Sequence, residues 1–210
     1  MDTKRAARLL AVALAAQALA VPGLRAWAPE PVAVQQGIRT FGGEAERVRL
    51  VAWAAGRFEL AGLEAPQVDV HFHQDTAGCA GHLGLELGGR VDHCVVHVSE
   101  IARDVLLHEM GHAWIDQYVA TPVRERFTEL RGLTEWNTTG VPFEAKAYEH
   151  GAEIMAWGLG TRWFAPEIPD REPWQLRASF ELLTGVDTPP EREGPDDPWT
   201  PSAPWVPTGA

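Results

Sequence analysis

The chain has 210 residues, enough for one compact domain with extended ends. An apolar fraction of 45% and nine tryptophans indicate a folded globule rather than a disordered polymer. A formal charge of −11 repels polyanions and argues against nucleic acid as a partner, and no run of eighteen apolar residues follows the N-terminus, so no internal membrane span is expected.

Lys4, Arg5 and Arg8 precede an apolar stretch from Leu9 to Val21 with small residues at its end, so residues 1–20 read as a signal peptide and the product as secreted or extracytoplasmic. The competing reading is an alanine-rich helix of the mature chain. Residues 21–43, with Pro29 and Pro31, read as a linker or propeptide. Residues 44–61 have Val48, Val51, Ala52, Ala55 and Phe58 at helical spacing and charges at Glu46, Arg47, Arg49 and Arg57, which predicts an amphipathic helix ended by Gly62. Residues 67–74 alternate: Val68, Val70 and Phe72 face one way, Asp69, His71 and His73 the other, as in a half-buried strand. Cys79 and Cys94 bracket a glycine-rich excursion. In an exported chain they read as one disulfide, contributing about 3 kcal/mol; free thiols or metal ligands are the alternatives.

Strands are expected at 83–87 and 95–99. A helix from Ser99 or Glu100 to Val119, another over 122–131, a loop at 133–142 and a helix over 143–158 follow. A last helix, 173–184, has Pro173 in its first turn and Gly185 beyond its end, and from 187 the chain is a Pro-rich tail. The order defines an α+β domain over 44–186, with a small, mostly antiparallel sheet.

Residues 108–112 read HEMGH. Residues four apart share a helix face, so His108 and His112 can reach one zinc ion, while Glu109 stands beside it as general base for a water that zinc makes acidic. Ile101, Val105, His108, His112, Ile115 and Val119 fall on one stripe, expected to face the core. Two imidazoles buried there would go unsatisfied without a partner, which a metal supplies.

A catalytic site of this kind needs a third protein ligand. Glu149 lies on a stripe with Ala145, Ala152 and Ala156 and is the preferred choice; Glu153, Glu135 and His150 stay open. Glu153 and Asp116 are candidates to hydrogen-bond the outer nitrogens of the histidines, and Asp104 is a weaker one. Donors for a developing oxyanion are sought among Tyr148, His150, Tyr118 and Arg131.

HEMGH, followed by Glu149-His-Gly-Ala-Glu153 on a later helix, resembles the gluzincin branch of zincin metallopeptidases, where the third ligand is a glutamate with an acid four residues on. The resemblance implies a zincin-like fold with an active-site helix and a second ligand-bearing helix, one zinc ion, and a peptide or protein substrate laid along the sheet's edge strand. The alternatives are a non-catalytic zinc-binding interaction module, which would not need Glu109, and a zinc hydrolase of a non-peptide amide or ester.

Overall fold

The computed structural model describes residues 31–160 and 166–186; the expected signal peptide and Pro-rich tail lie outside them. Five strands are present, β1 (Ala33–Gln35), β2 (Ile38–Phe41), β3 (Asp69–Phe72), β4 (Gly84–Leu87) and β5 (Arg90–His93). With them are the helices α1 (Ala45–Leu60), α2 (Glu100–Tyr118), α3 (Thr121–Leu130), α4 (Ala147–Leu159) and α5 (Pro173–Thr184). None of the described helices is long and apolar enough to cross a membrane.

The strands form one sheet in the order β1-β2-β3-β5-β4. Both outer pairs are antiparallel and both inner pairs parallel, so the sheet is mixed rather than mostly antiparallel. The cause is connectivity: α1 is a crossover between β2 and β3, and a crossover returns the chain in the same direction. Two-residue turns make the antiparallel pairs. Gln36-Gly37 and Gly88-Gly89 hold positive φ (47° and 84°; 59° and 88°), the conformation that matches the twist of a tight hairpin. The first hairpin lies inside the segment expected to be a linker. The second fixes β5 at Arg90–His93, so the strand expected at 95–99 does not form there.

The inner face of the sheet, with Ile38, Val70, Phe72 and Val91, packs on Leu50, Ala54 and Phe58 of α1 and on Leu106 and Met110 of α2. The buried side of α1 is rotated from the expected one: Val48 and Ala52 are only half-buried, while Arg57 is 1% exposed. Arg57 donates to the carbonyls of Leu159 and Gly160, where the C-terminal end of α4 favours a cation. The opposite face of the sheet carries Arg39, Asp69, His71, His73, Arg90 and Asp92 in ion pairs and a ring stack of His71 on Phe41, so His71 of β3 and His73 just beyond it do not reach the HEMGH motif. A disulfide joins Cys79 to Cys94, both buried, and closes the excursion that holds β4 and β5. That bridge fits an oxidising compartment.

Candidate metal centre

Ser99 caps α2 by accepting the amide of Ala102. Along this helix the expected apolar stripe divides. Ile115 and Val119 are buried, but Ile101 is 58% exposed and Val105 half-buried, so the first half of the stripe faces an opening rather than the core. The two histidines lie where the stripe goes under. They are covered by α4, which crosses α2 closely because both helices have glycine at the crossing. A Cβ on Gly111 would lie 3.0 Å from Met155 Cβ and 3.4 Å from the Ala152 backbone, and one on Gly151 would lie 2.8 Å from Ile115 Cδ1.

The start of α4 is later than expected. Phe143–Ala145 is a 3-10 turn and Lys146 is extended, because the amides of Ala147 and Tyr148 are taken by the carbonyls of Glu135 and Trp136. This pairing of loop and helix start fixes the rotation of α4, and with it the direction of Glu149.

His108 Nε2, His112 Nε2 and Glu149 Oε2 converge. The two nitrogens are 3.1 Å apart, and the carboxylate oxygen is 3.1 Å from His112 and 3.6 Å from His108. Donor atoms held about 2.0–2.1 Å from an ion in tetrahedral geometry are about 3.3 Å from one another, so the spacing fits a single small cation. His108, His112 and Glu149 form a group that can hold a metal ion, and it is the one such group among the described residues. Two imidazoles and a carboxylate suit zinc or a similar transition ion better than calcium or magnesium, which take oxygen ligands.

The surroundings point the same way. Burial opposes a charge on His108, yet the carboxylates of Glu149 and Glu153 outweigh it and raise its pKa to about 10. Burial lowers that of His112, with Glu149 opposing. Burial also works against the Glu149 carboxylate, but hydrogen bonds from both histidines hold it well below the usual carboxylate range. The cluster therefore demands a positive charge, which a cation would supply in place of the proton.

Glu153 accepts a hydrogen bond from His108 Nδ1 at 3.1 Å and another from the Glu167 amide at 2.9 Å. Asp116 has a different place from the expected one: its Oδ2 accepts from the Tyr148 hydroxyl at 2.9 Å and its Oδ1 pairs with Arg124, while His112 Nδ1 has no hydrogen-bond partner among the described residues. His150 is fully buried. Its nitrogens are engaged by Arg131 Nε and the Glu144 carbonyl, so it takes no part in the cluster as ligand or donor. Arg131 is spent on the carbonyls of Pro169 and Asp170, and Tyr118 reaches the carbonyl of Ala65. Of the four oxyanion donors considered, only Tyr148 touches the group, with its ring stacked 4.1 Å from that of His112. Glu135 is exposed and accepts from Thr138.

Glu109 is 8% exposed and outside the ligand triangle. Its carboxylate lies against β4, where Gly84 has no side chain; a Cβ there would be 2.5 Å from Oε1. The amide of Glu86 donates to it. Burial raises its pKa to about 7, with His108 opposing and repulsion from Glu149 and Glu86 adding to it.

Two contributors, Glu86 and Phe143, were not found from sequence. Glu86 faces the site because β4 alternates: Leu85 opposes Asp92 on the outer face, so Gly84 and Glu86 turn inward to α2. Phe143 lies nearly parallel to His108, 6.2 Å away. Asp104, the weaker candidate for a histidine's outer nitrogen, instead lines a cleft with His108, its carboxyl raised to about 7 by burial and by Glu100 and Glu153, while Glu153 takes His108 Nδ1. Gly84 next to an alternating strand was the readable signal for close approach; Phe143 had none. Comparison with known proteins adds no assignment: no family model, no curated protein and no solved structure matches the chain.

Proposed function

We propose that the chain is a zinc-dependent metallopeptidase of the zincin kind, with His108, His112 and Glu149 as zinc ligands and Glu109 as general base. One observation carries the reading: three donor atoms of ligand type meet at 3.1–3.6 Å, and a buried acid stands next to them without joining them. When bound, zinc polarises a carbonyl oxygen and lowers the pKa of water to near 7.

Glu109 then takes the proton of the attacking water and passes it to the leaving nitrogen. The Glu86 amide and the side-chain-free surface of Gly84 hold the carboxylate in place. The peptide substrate is supported by β4, which is an edge of the sheet. The Leu83 carbonyl pairs with Cys94, so Gly84 and Glu86 turn their backbone groups to the open side; the Glu86 amide is taken by Glu109, and the Gly84 amide and the two carbonyls are left where an extended peptide can align. The disulfide supports an exported enzyme.

The test pairs zinc content with peptide hydrolysis. Glu109→Gln should keep zinc and lose roughly 10²–10⁴-fold in kcat. Glu149→Gln should lose zinc affinity by more than the roughly 10–100-fold expected for outer partners. Full activity in Glu109→Gln sinks the mechanism, and unchanged zinc affinity in Glu149→Gln moves the ligand to another acid.

A further inference from the structure

The opening that faces the first half of α2 is a cleft of about 430 Å³ with His108 at one end. Its walls include Leu83, Ile101 and Phe143, which are 48%, 58% and 40% exposed and leave apolar surface in water. Its polar lining holds three acids, Asp104, Glu153 and Glu167, together with His82 and the ligand-type His108. Glu153 has both oxygens engaged, but the Oδ1 atom of Asp104 is buried and has no hydrogen-bond partner among the described residues. A buried carboxylate oxygen without a donor is costly, and it is an acceptor awaiting one. Asp104 itself is half-buried and lines the cleft, and an apolar wall beside its carboxyl group matches an alkyl stem that ends in a cation.

Strand direction says which substrate residue meets the cleft. A peptide added antiparallel to β4, the more stable pairing, runs from the Leu87 end to the Leu83 end. The residue just past the scissile bond, on the amine side, then lies by Leu83 and Ile101.

We propose that this cleft receives the lysine or arginine side chain of the residue on the amine side of the scissile bond. This rests on the peptidase reading and narrows its substrates to peptides with a basic residue there. Asp104 is the specificity-determining acceptor, with Glu167 at the rim.

The test is binding, so that it does not depend on turnover. Three labelled peptides, alike except for Lys, Leu or Glu at that position, are titrated against the zinc-loaded full chain carrying Glu109→Gln. Lysine should bind about tenfold tighter than leucine, and glutamate weakest. Adding Asp104→Asn, or separately Glu167→Gln, should shrink the Lys-to-Leu ratio, Asp104→Asn to about twofold. Equal affinity for the three, a ratio that neither substitution changes, or no binding at all overturns the inference. If the lysine peptide binds selectively but the native zinc-loaded chain does not cleave it, the peptidase reading fails and the cleft assignment stands.

Discussion

Glu153 is 7% exposed and spends both carboxylate oxygens inside the protein, one on His108 Nδ1 and one on the Glu167 amide. A carboxylate on the outer nitrogen fixes the tautomer so that the lone pair of Nε2 faces the ion, and raises its basicity. Glu153→Gln keeps the shape and loses the charge. It should lower zinc affinity roughly 10–100-fold without abolishing binding, as measured by competition with a chelating dye. An unchanged affinity would mean that His108 is oriented by packing alone. At this scale the sequence was most readable where the chemistry is local. Two histidines four apart with a glutamate between them carry their meaning in the spacing, and so do two acids four apart on an alanine-rich helix. Asp116 and His150 were not readable in this way. What they touch is set by the path of the chain from Arg131 to Lys146, which brings Arg131 to His150 and Tyr148 to Asp116.

The site is assembled from one strand and two helices, and its tolerances are set where they approach one another. β4 touches α2 through Gly84, whose added Cβ would lie 2.5–2.7 Å from Glu109 and Val105. Gly84→Ala should therefore displace Glu109 while leaving the three ligands alone. The expected result is a kcat loss of at least tenfold with zinc content unchanged, since a misplacement near 1 Å can cost about 10²-fold. Loss of zinc in this variant would show that the strand supports the ligands as well. The helices were legible because they are long, periodic and punctuated: Ser99 caps α2, and Pro173 and Gly185 bound α5. The strands are three or four residues long: alternation placed β3 within 67–74, and 83–87 holds β4, but β1, β2 and β5 are too short for periodicity to place. Val95–Ser99 read as a strand and Arg90–His93 did not, yet the glycine turn at 88–89 decided the register. The same kind of signal, Gln36-Gly37, marked the hairpin in the segment taken for a linker.

At the scale of the molecule, the sheet and α2 are joined through His93. This residue is on the inner face of β5, 1% exposed, its ring edge-on to Phe72 and its Nε2 donating to the Ala102 carbonyl in the first turn of α2. Burial lowers its pKa from 6.5 to about 4, with the Ala102 bond opposing and Arg47 adding to the shift. Between those two values the unfolded chain binds a proton that the fold refuses, so stability rises with pH across this window. The contribution is complete above pH 6.5 and is lost as pH falls to about 4, a change of about 3 kcal/mol for 2.5 pH units. Carboxylates titrate over part of the same range, so the native curve alone does not isolate it. Comparison with His93→Gln does, because the glutamine keeps a donor for Ala102 and has no charge to gain. Urea unfolding of both chains, with chelator present to exclude proton-linked metal release, should show the native chain losing about 3 kcal/mol more than the variant between pH 7 and pH 4. Parallel curves would mean that His93 takes up its proton in the folded chain as readily as in the unfolded one, with water or an acid as partner.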